Sequence, residues 1–228
     1  MTNKSRTKSL THQSFIVRDC ALIAMATGKR ARSLVGLRDH LETIEQESIY
    51  YHFWGGLLRP QFEDYEYHND FASWAAHTLN DRTIAERLGI IDPTKYETLD
   101  QLRQELVELI DERVDELEVV PWAPRDKQFE FIVSDIAVFT TKKAIQDPKA
   151  LLNIVPKMSL GSIFYHFIDA RRRSPERTDD FTLWLKSFGK RYQDLIDGIM
   201  GIDPCLTSLS ALRDELTEEL LKHLMVNK

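Results

Sequence analysis

Leu99, Leu102, Leu106, Leu109, Ile110 and Val114 recur at three- and four-residue spacing, and Leu209, Leu212, Leu216, Leu220 and Leu224 do the same. This period puts each set on one face, so both stretches are expected to be amphipathic helices burying an apolar stripe. Thr98 followed by Gln101 has the form of a capping box, and Ser208 stands as the equivalent cap. Asn69-Asp70 and Asp179-Asp180 occupy positions where short polar side chains start helices, here those carrying Trp74 and Trp184. Leu34, Leu37, Leu41 and Ile44 mark a further helix, answered by Leu151, Leu152 and Val155 until Pro156 interrupts; Ser48 and Ser162 are then expected to open short helices. Two segments are ambiguous. QFEFIVSDIAVFTT alternates at its head as a strand would, whereas FIVRDCALIAMATGKRA is rich in helix formers, and the helical reading is adopted for this region. The pattern thus predicts a mainly α protein with about five helices in each half.

The halves share more than helix spacing. SIYYHFW at Ser48–Trp54 returns as SIFYHFI at Ser162–Ile168. Around it lie four further blocks in the same order: FIVRD and FIVSD, DFASW and DFTLW, IDP twice, and LDQLRQEL and LSALRDEL. Five ordered blocks at an offset of about 110 to 116 residues indicate a tandem duplication. The expected organisation is a helical repeat over 14–118, a proline-containing linker over 119–127 and a second repeat over 128–226. Pro121 and Pro124 forbid a continuing helix in the linker, and Trp122 suggests that it packs onto a domain. Two helical-bundle repeats related by pseudo-two-fold symmetry are the expected architecture.

SIYYHFW followed by NDFASWAAHTLND, with a leucine-rich lead-in and the closing helix TLDQLRQELVELIDE, resembles a helical domain family catalogued as domain of unknown function 5752. The resemblance covers residues 14–116 closely. The second half follows more loosely, with Asp179 in place of the asparagine and Thr182 in place of the alanine. The resemblance implies a helical fold and carries no established reaction.

Composition narrows the function classes. The chain has 228 residues, 43% hydrophobic and 29% charged, which supplies ample core for folded domains. Its net charge of −6, with basic runs only at Lys4–Lys8 and Arg171–Arg173, argues against nucleic acid as a partner. No run of apolar residues is long enough for a membrane span, so no membrane association is expected. Cys20 and Cys205 build neither a disulfide framework nor a metal cage, and a reducing cytoplasm is the expected compartment.

His52 and His166 are the histidines that match between repeats, and each is flanked by aromatics. The favoured reading is a half-buried imidazole that braces helix packing through hydrogen bonds. The alternative is a metal-dependent enzyme in which His52, His68 and Asp70 are ligands, with His166 and Asp180 as their counterparts. Against it, the spacing is not Glu-x-x-His, His68 has no second-repeat partner, and Asp70 and Asp180 already serve helix starts. Cys20 sits in an apolar run typical of an inert thiol, Ser48 and Ser162 lack a nucleophile elbow, and Gly28-Lys29 lacks the rest of a phosphate loop. No cofactor is expected.

The halves diverge most after the histidine motif. Tyr50, Tyr51, Phe53, Trp54, Phe62, Tyr65 and Tyr67 crowd the first copy among Glu63, Asp64 and Glu66, whereas the second has IDARRRSPERTDD. Diverged loops on a duplicated scaffold are where contacts to a partner would lie, here Gly55–His68 and Asp169–Asp179. The candidate ligand or interface residues are Tyr51, His52, Trp54, His68, Asp70, Tyr165, His166, Arg171, Arg172 and Asp180. The reading reached is a non-catalytic binding, regulatory or protein-interaction module, with an unknown protein or small ligand as partner; the opposite loop charges also allow a homo-oligomer.

Overall fold

A computed structural model describes residues 13–58, 66–205 and 208–225. The first repeat runs β1 (Phe15–Ala31), α1 (Leu34–Leu41), α2 (Gln46–Trp54), α3 (Asp70–His77), α4 (Arg82–Gly89) and α5 (Leu99–Glu116). The second runs β2 (Phe129–Ile145), α6 (Leu151–Ile154), α7 (Leu160–Ile163), a π-helical segment Phe164–Asp169, α8 (Ala170–Arg173), α9 (Asp180–Lys186), α10 (Gln193–Met200) and α11 (Leu209–Leu224).

The expectation of a mainly α pair of helical bundles is corrected here: the fold is mixed α/β, 57% helical and 17% strand. The two segments read as helices are 17-residue strands that pair as an antiparallel two-stranded sheet. Alternating burial is confined to their heads, where Phe15 and Val17, and Phe129 and Phe131, point inward. Beyond the heads Ile23, Met25, Val138 and Phe139 are exposed, so the apolar spacing there reports no buried face of either period. The backbone groups are satisfied by a partner more than a hundred residues away in sequence, which local propensity does not register.

Side chains reinforce the pairing at matched points. Thr27 Oγ1 donates to the Phe131 carbonyl at 2.8 Å, and Thr141 Oγ1 donates to the Val17 carbonyl at 2.6 Å. The residue after each threonine has positive φ, Gly28 at 80° and Lys142 at 62°, so both strands kink at the same place.

The chain divides into two compact units, and the division falls inside the strands. One unit comprises Ala21–Ala137; the other combines the described residues up to Cys20 with those from Val138 onward. Each unit therefore contains the helices of one repeat and the strand head of the other. In the unit Ala21–Ala137, Leu37, Leu41, Ile49, Phe71, Leu88 and Leu106 are buried in the same core as Phe129 and Phe131, with Phe71 stacked on Phe129. In the other, Ile163, Phe167, Phe181, Leu185, Leu212 and Leu216 are buried in the same core as Phe15 and Val17, with Phe181 stacked on Phe15. Burying each of these aromatic anchors contributes about 1.5–3 kcal/mol.

The helix ends follow the side-chain chemistry expected of them. Thr98 and Gln101 form a complete capping box, and Asn69, Asp179 and Ser208 each accept a backbone N–H of their helix's first turn. The starts expected at Ser48 and Ser162 are corrected. Helix α2 begins at Gln46 and α7 at Leu160, the latter capped by Ser159, which accepts Ser162 N–H. The linker docks through Ala123, fully buried, whose N–H donates to the Arg32 carbonyl and whose carbonyl accepts from the Arg32 guanidinium. Trp122 itself is 68% exposed beneath that guanidinium.

Candidate functional site

Three of the five blocks, the histidine motif, the DFASW or DFTLW helix and the strand head, assemble into one device in each unit: a clamp on an incoming strand. In the unit Ala21–Ala137, His52 on α2 and Asp70 at the start of α3 meet with Nδ1 to Oδ2 at 2.8 Å. The opposite nitrogen, His52 Nε2, accepts the backbone N–H of Ile132 in β2 at 3.1 Å. Phe71 stacks on Phe129 at 5.1 Å between ring centroids, and Trp74 Nε1 donates to the Lys127 carbonyl at 2.9 Å. In the other unit His166 Nδ1 lies 2.7 Å from Asp180 Oδ2, and His166 Nε2 accepts Arg18 N–H at 2.9 Å. Phe181 stacks on Phe15 at 5.2 Å, and Trp184 Nε1 donates to the Gln13 carbonyl at 2.7 Å.

This arrangement determines the state of each ring. A backbone N–H can only donate, so Nε2 must present its lone pair, and the ring proton sits on Nδ1 facing the carboxylate. Both nitrogens are thereby engaged in a nearly fully buried imidazole; His52 is 3% and His166 2% exposed. Neither ring offers a free lone pair to a metal or to a substrate proton.

The remaining expected site residues are spread over different surroundings. Tyr51 is buried with its ring packed on Gly55, where a Cβ would clash with it, and Trp54 is buried on α2. His68 is exposed, two residues before Asp70, and among the described residues no three His, Cys, Asp or Glu side chains are grouped so as to hold a metal ion. Of the acidic aromatic loop, Phe62, Glu63, Asp64 and Tyr65 lie outside the described residues.

The arginine segment is largely an internal network. Asp169, buried at 1%, accepts from Arg172 at 3.0 Å and from Arg173 at 2.7 Å, the i,i+3 and i,i+4 partners of one helical face. Arg171 lies over the Phe167 ring at 4.6 Å and donates to the Phe167 carbonyl. Arg173 lies over the Tyr165 ring at 3.9 Å and also reaches Asp180 Oδ2 at 3.2 Å.

Next to this network opens a cleft of about 370 Å³, lined by Phe15, Ile16, Arg18, Tyr165, His166, Arg173, Asp180, Leu183 and Trp184 among others. Arg18 and Trp184 line this cleft without having been candidates from sequence, whereas Asp169 and Arg173 fall within the expected contact loop Asp169–Asp179 but were not among its named residues. Asp169 was findable from its spacing to the arginines; Arg18 was not, because it comes from the other repeat.

Two titratable groups stand out by burial. The Cys20 thiol, donating to the Gly161 carbonyl at 3.2 Å, is pushed up to about 12 by burial, with Asp169 and Asp19 adding to the effect. It is an inert thiol at neutral pH. Asp179 is fully buried, and burial raises its carboxyl above the usual range while the Thr182 N–H that it accepts acts the other way.

The model of a family described as "Family of unknown function (DUF5752)" matches residues 12–221. Among solved structures, "The structure of OrfY from Thermoproteus tenax" is similar at a TM-score of 0.80 and 24% identity, covering 94% of this chain and 97% of that one, a likeness of fold. No curated protein matches the chain. Among the described residues no helix is long and apolar enough to cross a membrane.

Proposed function

We propose that this chain, which belongs to the DUF5752 family of unknown function, is a non-catalytic binding module whose repeated histidines hold strands in place. The observation that carries this reading is the double engagement of each imidazole: Nδ1 on a carboxylate, Nε2 on a strand N–H. General acid-base work needs a ring nitrogen within reach of a substrate proton, and metal ligation needs a free lone pair; the strand occupies that position in both units. The repeated chemistry is thereby explained by assembly of the scaffold. Contacts to a small ligand or protein then belong to surfaces that differ between the repeats.

The test is a long-range proton–nitrogen correlation spectrum of the histidine rings at neutral pH, repeated with added zinc. The expected result is the Nδ1–H tautomer for His52 and His166, unmoved by the metal. An Nε2–H tautomer at either ring, or a zinc-dependent shift of the His52 or Asp70 signals, would overturn the reading and favour the metal-dependent alternative.

A further inference from the structure

We infer that the cleft beside His166 is a binding site for a small organic carboxylate with an apolar or aromatic body, an inference that rests on the binding-module reading. The charge is supplied by Arg18. Strand alternation turns this side chain outward, between inward-facing Val17 and the half-buried Asp19, at the cleft wall. Its Nη1 donates to Tyr165 Oη at 3.2 Å, and among the described residues it forms no ion pair, so its guanidinium edge is available for a bidentate partner.

The other charged groups in the cleft are already balanced. Asp180 takes the His166 Nδ1 proton and the Arg173 guanidinium on the same oxygen, and Arg173 also neutralises buried Asp169. An incoming anion therefore meets one uncompensated positive charge, from Arg18. The apolar end is equally defined. Ile16 is 44% and Leu183 40% exposed, both on the cleft lining with the Trp184 ring. A volume of about 370 Å³ in which Ile16, Leu183 and Trp184 form an apolar side and Arg18, Tyr165 and Arg173 a polar one suits a small amphipathic ligand better than a macromolecule.

The unit Ala21–Ala137 argues the same point by contrast. In its clamp the residues matching Ile16, Arg18 and Leu183 are Glu130 and Ile132 on β2 and Ser73 on α3, and Glu130 is paired with Arg30. There the cation and the apolar wall are both missing. The duplicated clamp is common to the two units, whereas the carboxylate site belongs to the one built on His166.

Naphthoate serves as the probe and naphthylmethanol as its uncharged counterpart, each titrated into the full chain while the Trp184 indole N–H signal is followed. Naphthoate is expected to shift that signal saturably. Arg18→Gln should weaken binding about tenfold or more, and naphthylmethanol should bind the unaltered protein about tenfold more weakly. Leu183→Asp, at an exposed wall position, should also weaken naphthoate. The Arg18 backbone bond to His166 does not depend on its side chain, so Arg18→Gln should keep the fold, as thermal melting would show. Absence of a saturable shift, equal binding of the alcohol, or unchanged binding by Arg18→Gln overturns the inference. The histidine tautomers recorded on the same samples keep the two failures apart. Loss of naphthoate binding with intact Nδ1–H tautomers removes only the carboxylate site, whereas altered tautomers remove the module reading itself.

Discussion

His52 Nε2 accepts the backbone N–H of Ile132 at 3.1 Å, joining an α2 side chain of the first repeat to the opening strand of the second. His166 and Arg18 repeat the relationship with the repeats reversed. Each histidine thus satisfies a strand amide and orders the strand head against the helices.

Replacing His52 or His166 by alanine removes that acceptor, removes the ring N–H that Asp70 or Asp180 accepts, and opens space beneath the stacked phenylalanines. Each variant is expected to lose about 2–3 kcal/mol of stability, from an unsatisfied buried donor together with a cavity. Urea unfolding measures this. A loss below about 0.5 kcal/mol would show that the strand head is held without the histidine.

Gly161 lies against the strand at the start of the motif, and a Cβ built there would collide with the Cys20 carbonyl and with Asp19 Oδ1. Because the obstacle is backbone, it cannot rotate away. Gly161→Ala is expected to cost about 1–3 kcal/mol through overpacking, read from the urea midpoint, although alanine is the better helix former.

Asp179 is a buried cap whose carboxyl is raised by desolvation, and its Oδ2 has no hydrogen-bond partner among the described residues. Its folded pKa exceeds its unfolded one. As pH rises between the two, the unfolded chain releases a proton that the folded chain still holds, and stability falls. The first repeat has Asn69 at this position, with Oδ1 accepting Ala72 N–H and Nδ2 donating to the Leu88 carbonyl. Asp179→Asn is therefore expected to raise the unfolding midpoint at neutral pH, with the gain shrinking toward acid. A gain that is constant with pH, or a loss at pH 7, would contradict this.

Much of the local structure was legible in the chain. Caps at Thr98, Asn69, Asp179 and Ser208 were readable because side chain and backbone partner lie three residues apart. The strands were not, since ALIAMA in β1 has helix-forming composition while its hydrogen bonds come from β2. The candidate site was half legible. His52 with Asp70 and His166 with Asp180 were grouped from sequence, but Arg18, their strand neighbour and the proposed anion contact, lies 148 residues from His166.

The sequence by itself determined the duplicated block order and the helix caps at Thr98, Asn69, Asp179 and Ser208, because these depend on helical period and short separations. Only the tertiary structure decided that each clamp receives the other repeat's strand. The strand heads FIVRD (15–19) and FEFIV (129–133) both set apolar anchors at alternate positions, two residues out of the register that the FIVRD and FIVSD match suggests, so either suits either clamp by composition. The choice is made by the strands themselves: each is 17 residues long and passes from one compact unit into the other, so its head is buried in the unit that holds the other repeat's helices.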